Sequence, residues 1–335
     1  MCAPVESWRV RMDVAVRLGV LGCADVAARR VLPAVARCSE VRLVAVASRD
    51  SAKAADFAGR FGCAAVTGYD ALLAQDDVDA VYLPLPAALH ARWVERALLA
   101  GKHVLAEKPL TTSAADTERL LGLAARLGLV LVENYMFLAH GRHAAVRRMV
   151  DDGAVGTPLA FGATFTIPPR PPGDIRLDPA LGGGALLDTG GYPLRAALHF
   201  LGTGLSVAGA ALSGDGRVEL GGAALLTRAD GVTAQLGFGL RHAYTSEYWF
   251  LGTEGRLTTE HVFTTPADHR PVVRLDRGGR REERVLPVED QYAGAVRRFA
   301  EAVRAGCSPN TAATLAQAVV VDRITRAAEA RTRHE

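Results

Sequence analysis

The residues best suited to chemistry in this chain are Glu107, Lys108 and Pro109, which end an apolar run that begins at His103. Such a run predicts a buried strand, and parallel sheets bind ligands just beyond the carboxyl ends of their strands. Only three of the 39 basic residues are lysines, and a lysine can lose its proton whereas an arginine cannot. Pro109 restricts Lys108 to extended backbone and permits a cis peptide bond. We therefore expect Lys108 in a binding cleft, with an ordinary surface lysine as the alternative.

A second group of candidates follows three glycines at positions 182–184, where Asp188 and Tyr192 stand four residues apart. Residues at this spacing share one face of a helix, so the segment predicts a helix that presents a carboxylate and a phenol together. The preceding loop, residues 167–176, is rich in proline and carries Arg170 and Arg176. A tyrosine packed in a domain interface is the alternative interpretation of Tyr192.

A strand, a glycine turn and a helix open the first domain. Residues 16–21 are apolar, and Gly22 supplies the first glycine of a dinucleotide-binding fingerprint in which Ala24 and Ala27 replace the second and third. The first glycine permits the tight turn, and the second lets a pyrophosphate approach the backbone. A strand–helix turn without a ligand is the alternative. The residues expected to contact a cofactor here are Gly22, Cys23, Ala24, Asp25 and Val26.

The next strand, residues 41–47, ends in Ser48, Arg49 and Asp50, with Lys53 one helical turn further on. An NAD site places a carboxylate at this strand end to bind the ribose 2′-hydroxyl. A hydroxyl and a guanidinium suit a 2′-phosphate instead, so we expect NADP(H), with Ser48, Arg49 and Lys53 as its contacts. Asp50 argues against this preference, and a solvated Arg49 is the alternative.

Strands and helices continue to alternate up to residue 134, which is typical of a doubly wound parallel sheet. The segment Leu83–Pro86 cannot continue a central strand, because proline lacks the backbone donor. We expect it to lie over the nicotinamide side of the cleft. The further residues expected to contact the cofactor are Tyr69, Leu83, Pro84, Leu85, His90, Glu107, Lys108 and Asn134.

After residue 135 the pattern changes to β-rich runs separated by Gly or Asp turns, closed by two helices. This predicts an α/β chain: an N-terminal doubly wound Rossmann domain and a C-terminal α+β domain with an open mixed or antiparallel sheet. The expected divisions are a flexible leader (1–15), an NADP-binding domain (16–134) and a substrate-binding and oligomerisation domain (135–335). An open apolar sheet face favours a homodimer or homotetramer.

Composition excludes several classes of protein. A net charge of +3 and a charged fraction of 22% fit an ordinary globular protein and do not favour a nucleic-acid partner. Five cysteines without a CxxC pair predict neither a disulfide framework nor a metal site, and fit a cytoplasmic protein. No signal peptide and no run of transmembrane length is evident, so we expect no membrane partner.

Taken together, the turn beginning at Gly22, the segment Glu107–Pro109 and the glycine-rich segment that leads to Asp188 and Tyr192 resemble the glucose-fructose oxidoreductase / inositol dehydrogenase / MocA-type oxidoreductases. The resemblance covers the chain from about Arg17. Many members have His where Tyr192 stands. The tyrosine and the loop 165–176 resemble the nucleotide-sugar 3-ketoreductases, which implies NADPH-dependent reduction of the C3 ketone of a dTDP-linked 4-keto-2,6-dideoxyhexose. The implied substrate contacts are Tyr135, Arg170, Arg176, Asp188 and Tyr192, with both arginines on the diphosphate.

The expected chemistry is carbonyl reduction, in which the new alkoxide needs a proton and a positive field. Tyr192 is expected to act as the general acid, Lys108 to orient the carbonyl and tune the phenol, and Asp188 to position a hydroxyl or Lys108. Two alternatives stay open. One is an NADP-dependent dehydrogenase of a free sugar, polyol or trans-dihydrodiol. The other is a non-catalytic regulator that senses NADP.

Overall fold

The computed structural model describes residues 15–332, so nearly all of the expected leader (1–15) lies outside the described residues. The chain divides into two compact units. The first comprises the residues up to Ala139 together with Tyr292–Thr311, and the second comprises His140–Gln291 and the chain from Ala312. This division differs from the single boundary expected at residue 134, because the chain returns to the first unit near its end.

The first unit is built on a six-stranded parallel sheet in the order β3-β2-β1-β4-β5-β6. Its strands are β1 (Val16–Leu21), β2 (Val41–Ser48), β3 (Ala64–Thr67), β4 (Ala80–Leu83), β5 (His103–Glu107) and β6 (Leu131–Asn134). The order reverses between β1 and β4, which creates a crevice at their carboxyl ends. Both the turn at Gly22 and the segment after Leu83 start there.

Helices cover both faces of this sheet and one face of the second. A π-helical turn (Ala27–Val31) precedes the first of them. The α-helices are α1 (Leu32–Val35), α2 (Ser51–Phe61), α3 (Tyr69–Leu73), α4 (His90–Leu99), α5 (Ala114–Leu127), α6 (Gly141–Asp151), α7 (Gly191–Leu201), α8 (Gln291–Ala305) and α9 (Thr311–Thr332).

Two apolar layers hold the first unit together, one on each side of the parallel sheet. On one side Leu18, Phe57 and Tyr82 pack with the buried face of α8, which includes Phe299. On the other side the side chains of α3, α4 and α5 form the second layer. Because the apolar face of α8 is buried in the first layer, this late helix belongs to the first unit.

The second unit contains an eight-stranded mixed sheet in the order β14-β13-β12-β11-β7-β10-β9-β8, in which only β7 and β10 are parallel. Its strands are β7 (Pro158–Thr166), β8 (Ser206–Gly214), β9 (Glu219–Thr227), β10 (Thr233–Gly239), β11 (Thr245–Gly252), β12 (Gly255–Glu260), β13 (Val272–Arg277) and β14 (Arg280–Val285). The inner face packs on α7, where Phe200 contacts Phe161, Tyr248 and Phe250.

The expected fold class is confirmed: a doubly wound parallel sheet precedes a domain with an open mixed sheet. The strands β13 and β14 and the short helix α3 were not predicted. Every residue of β14 is exposed, so this strand has no apolar alternation to reveal it. Its one signal is Gly278-Gly279, where both residues have positive φ, as a tight hairpin turn requires.

Candidate cofactor-binding and catalytic site

The crevice of the first unit is lined at one side by the turn after β1. Gly22 has φ +115°, and a Cβ at this position would lie 2.7 Å from the Leu85 side chain and 3.8 Å from the Tyr69 hydroxyl. Only glycine meets both conditions without strain. The turn, Leu85 and Tyr69 therefore converge, and the close packing of Leu85 on the backbone after β1 requires a glycine at position 22. Residues Cys23 and Leu83 are buried, Ala24 and Val26 are half-buried, and Asp25 is exposed and pairs with Arg29.

Tyr69 links this turn to the end of β2. Burial raises the pKa of the Tyr69 hydroxyl, whereas the charge of Arg49 and its hydrogen bond with the phenol act in the opposite direction. The Tyr69 ring is held edge-on against Trp93, with centroids 4.9 Å apart. Arg49 is thus a guanidinium held beside the crevice by a tyrosine that is itself fixed.

Asp50, the residue that argued against NADP(H), is engaged elsewhere. Its Oδ1 accepts the backbone N–H of Lys53 at 3.1 Å and caps helix α2, while its own N–H donates to the Ser48 hydroxyl at 3.2 Å. A carboxylate used as a helix cap stabilises the first turn of that helix. The strand end therefore presents the exposed Arg49 and Lys53 beside the buried Ser48, a donor set that fits a 2′-phosphate.

Replacing Arg49 by glutamine is expected to raise the Michaelis constant for NADPH about tenfold and leave that for NADH nearly unchanged. The reason is the loss of one charge-assisted bond to a 2′-phosphate. Initial-rate measurements with both cofactors test this. Arg42, which is exposed on the same strand, supplies the control variant Arg42→Gln. Equal losses with NADPH and NADH would contradict the assignment.

Lys108 stands on a turn that is fastened on both sides, and its peptide bond to Pro109 is cis. The preceding residue, Glu107, accepts hydrogen bonds from the Tyr82 hydroxyl and the Asn134 amide, both at 2.8 Å. After the proline, the Leu110 N–H donates to Glu133 at 2.8 Å. The backbone that carries Lys108 is therefore fixed at the carboxyl end of β5.

His90, expected to contact the cofactor, is placed otherwise. The side chain is completely buried, Nδ1 lies 2.7 Å from the carbonyl oxygen of Pro109, and Nε2 lies 2.7 Å from that of Leu85. Both ring nitrogens thus face backbone carbonyls, and no polar atom of the side chain remains for a cofactor. This geometry does not support the direct contact with a cofactor that the sequence predicted for His90.

In the second unit Asp188 pairs with Arg176, whose Nε lies 2.7 Å from its Oδ2. Arg176 also contacts Asp174 at 3.2 Å, and Arg170 donates to Asp174 at 2.9 Å. Burial alone would lower the pKa of the Arg176 guanidinium, but the negative charges of Asp188 and Asp174 have a larger effect and raise it. Positive and negative groups therefore alternate along this chain of four. Arg176 already has two carboxylate partners, and its expected contact with a diphosphate stays a prediction.

The glycines at 182–184 make room for this loop and do not form a phosphate cradle. The Gly184 N–H donates to the carbonyl oxygen of Arg176 at 2.9 Å, and a Cβ on Gly183 would lie 2.6 Å from the same oxygen. Glu219 holds the start of the following helical turn by accepting the Leu186 N–H at 3.2 Å. The loop and the segment that carries Asp188 are thus bound together.

Tyr192 lies in the first turn of α7 with its ring between Phe165 and Phe263, at centroid distances of 4.9 and 5.7 Å. This aromatic setting fixes the plane of the phenol, and the side chain is only 5% exposed. Tyr135 is also buried and packs edge-on against Phe137 in the first unit. Its substrate role stays a prediction.

Sequence reasoning missed the supporting residues Tyr82, Glu133 and Glu219. Tyr82 lies within an apolar strand, where no pattern distinguishes it. Glu133 lies next to the end of β6, where a polar residue could have been predicted to belong to the site. Glu219 starts β9, far along the chain from the helix that it holds, so no local pattern reveals it.

Within residues 15–332, no helix combines the length and apolar character that crossing a bilayer requires. In the same part of the chain, no three His, Cys, Asp or Glu side chains are grouped to hold a metal ion.

Comparison with known proteins places this geometry in a family. Residues 16–135 match the model of an oxidoreductase family with an NAD-binding Rossmann fold, and residues 143–258 match the GFO/IDH/MocA C-terminal domain. The chain belongs to the GFO/IDH/MocA oxidoreductase family. The resemblance that the motifs indicated is confirmed.

Several relatives match over nearly the full length. The dTDP-3,4-didehydro-2,6-dideoxy-alpha-D-glucose 3-reductase of Streptomyces violaceoruber is 56% identical over 94% of this chain and 96% of its own. An enzyme of the same name from Actinomadura kijaniata is 52% identical over 92% of this chain and 94% of its own. A solved structure of a 3-ketoreductase from A. kijaniata, in complex with NADP and TDP-benzene, superposes with a TM-score of 0.91 and 52% identity, covering 94% and 98% of the two chains.

Proposed function

We propose that this protein catalyses the NADPH-dependent reduction of the C3 ketone of dTDP-3,4-didehydro-2,6-dideoxy-α-D-glucose. The observation that carries the proposal is a sequence identity of 50–56% to reductases of this one name over 92–94% of the chain. The second candidate is a dehydrogenase of a free sugar. It is favoured by a D-xylose 1-dehydrogenase (NADP(+)) from Haloferax volcanii, which is 35% identical over 87% of this chain.

The residues of the first unit fit NADP(H) as the cofactor. Gly22, with φ +115°, permits the tight turn after β1 that a dinucleotide site uses, and Ser48, Arg49 and Lys53 would hold the 2′-phosphate. Oδ1 of Asp50 is occupied by the Lys53 N–H at the start of α2. When bound, NADPH supplies the hydride for ketone reduction.

Lys108 and Tyr192 are the groups proposed to act on the substrate. The Lys108 ammonium stabilises the negative charge that develops on the ketone oxygen, because a fixed cation in a cleft has a stronger effect than one in water. Tyr192 donates the proton that this oxygen needs, since an ordinary phenol is acidic enough to protonate an alkoxide. Asp188 orients the substrate, and Tyr135 and Arg170 stay proposed substrate contacts.

Arg176 is proposed to position Asp188, and replacing it by methionine is expected to lower kcat about tenfold. Without its partner at 2.7 Å, the carboxylate loses a charge-assisted bond and its fixed orientation. Steady-state kinetics should show a loss in kcat, partly restored in Arg176→Lys. The control is Arg228→Met, which removes an arginine–aspartate pair (Arg228 to Asp230, 2.6 Å) in the turn between β9 and β10, away from the residues assigned to the substrate.

A different result would restore the diphosphate role. If Arg176→Met raised the Michaelis constant for the dTDP-sugar and the inhibition constant of TDP while kcat stayed constant, Arg176 would bind the nucleotide and not position Asp188.

We propose that the outer face of the mixed sheet binds a second copy of the chain to form a homodimer or homotetramer. Leu225 and Leu251 are 41% and 45% exposed on this face, where Trp249 lies against Gly162. Light scattering is expected to give at least a dimer for the wild type and a smaller species for Leu225→Glu. Leu99→Glu, at a residue 66% exposed on α4, is the control. A monomeric wild type would contradict the proposal.

We infer a cytoplasmic location from the use of NADPH and from the cysteines, since the four in the described part of the chain are all free.

The function is tested by following NADPH oxidation with freshly generated dTDP-3,4-didehydro-2,6-dideoxyglucose. Turnover with NADPH, and much weaker turnover with NADH, is expected. Absence of turnover together with NADP-dependent oxidation of D-xylose, a polyol or a trans-dihydrodiol would establish the second candidate.

A further inference from the structure

His90 lies between two segments that the proposed reaction uses for different purposes. The ring opens helix α4, is completely buried, and places each of its nitrogens 2.7 Å from a backbone carbonyl oxygen, Nδ1 from Pro109 and Nε2 from Leu85. One imidazole thus spans from the loop after β4 to the turn after β5.

Each of the two carbonyls belongs to a residue next to a functional group. The side chain of Leu85 lies against Gly22, since a Cβ there would meet it at 2.7 Å, so the position of Leu85 shapes the turn assigned to the cofactor. Pro109 directly follows Lys108. The Nε2 contact therefore fixes a residue that shapes the cofactor-binding turn, and the Nδ1 contact fixes the residue that follows Lys108 and so helps to place its ammonium.

Both contacts depend on the protonation state of the imidazole ring. A neutral imidazole has one N–H and one lone pair, so it donates to one carbonyl only, whereas an imidazolium donates to both. Burial lowers the pKa of His90. The carbonyls of Leu85 and Pro109 and the charges of Glu107 and Glu133 act in the opposite direction but do not outweigh burial. A buried carbonyl without a donor is costly, so the ring cannot be exchanged for an apolar side chain at no cost.

We propose that His90 is a positioning residue that couples the cofactor-binding turn to Lys108 through these two contacts. This proposal deepens the proposed function, because the roles of the two segments rest on it. His90 touches neither cofactor nor substrate; it acts through the backbone of Leu85 and through that of Pro109.

Two substitutions separate the contacts. In His90→Asn the amide occupies the place of Nδ1, which keeps a polar contact with the Pro109 carbonyl and removes the one with the Leu85 carbonyl. In His90→Gln the amide reaches the place of Nε2, with the reverse result. We expect His90→Asn to weaken NADPH binding about tenfold with a smaller change in kcat. We expect His90→Gln to lower kcat about tenfold with a smaller change in NADPH affinity. Each effect is that of one lost polar contact with a buried carbonyl.

The control is His103, which lies at the start of β5 and accepts the Val130 N–H at 2.9 Å. His103→Gln should lower the melting temperature and leave both the NADPH affinity and kcat nearly unchanged. If both His90 variants lost affinity and kcat in equal proportion, or neither changed them, His90 would be an ordinary core residue and the proposal would be overturned.

Hydrogen–deuterium exchange keeps this test independent of the sugar. Exchange should rise in the peptide spanning residues 83–89 for His90→Asn and in that spanning 107–112 for His90→Gln. The reverse pattern, or a uniform rise in both peptides, would contradict the coupling. If the wild type failed to reduce the dTDP-sugar, the proposed function would fail, while NADPH affinity and exchange would still decide the role of His90.

Discussion

Replacing Lys108 by methionine is expected to lower kcat by about 10²–10³-fold, with a smaller change in the affinity for NADPH. The variant removes the cation proposed to stabilise the charge on the ketone oxygen, and loss of one such group typically has an effect of this size. Methionine keeps most of the side-chain volume, and the turn is fastened by Glu107 and Leu110, whose bonds do not involve the ammonium. Steady-state kinetics and NADPH titration measure the two quantities.

Lys102 is a matched control for this experiment. It lies six positions earlier, and its Nζ donates to the carbonyls of Gln75 and Val78 at 2.7 and 2.8 Å. Lys102→Met should therefore destabilise the fold and leave kcat nearly unchanged. If Lys108→Met retained kcat within about twofold of the wild type, Lys108 would have no catalytic role.

Replacing Tyr192 by phenylalanine is expected to lower turnover by about 10²–10⁴-fold, the usual contribution of a general acid, with little effect on NADPH binding. The substitution removes the hydroxyl and keeps the ring that packs against Phe165 and Phe263. A large loss of stability is therefore not expected, and thermal unfolding verifies this.

Tyr248 is the matched control, because it is buried in the same unit and its hydroxyl lies 3.0 Å from Nδ1 of His143. Tyr248→Phe should lose stability through that contact while kcat is retained. Unchanged turnover in Tyr192→Phe would remove the phenol from the mechanism and leave the ammonium of Lys108 as the proton donor.

Much of the fold could be predicted from local pattern. Strand β1 has the bounds of the apolar run at residues 16–21, and β2 ends one residue after the run at 41–47. Each of these runs is followed by a glycine or by polar residues, which end a strand. The hairpin β13–β14 could not be predicted in this way, because its residues are mostly charged and its stability comes from pairing with β12.

The sequence predicted the residues of the candidate site only where they directly follow the end of a strand. Lys108 and Gly22 stand directly after β5 and β1, so the topology of a parallel sheet is enough to place them. Arg176 shows the limit: its partner Asp188 lies twelve residues further on, and a sequence does not reveal that the proline-rich loop folds back onto the segment that carries Asp188. His90 shows the same limit, because a histidine at a helix start does not disclose which carbonyls its ring faces.

The central claim is that hydride is delivered to C3 of a dTDP-linked diketo sugar. The most direct test uses NADPH that carries deuterium at its transferable position, with freshly generated dTDP-3,4-didehydro-2,6-dideoxyglucose, and locates the label in the product by NMR. The account predicts deuterium on C3 with the C4 ketone intact. Deuterium on C4, or NADPH consumption without label in the sugar, would contradict it.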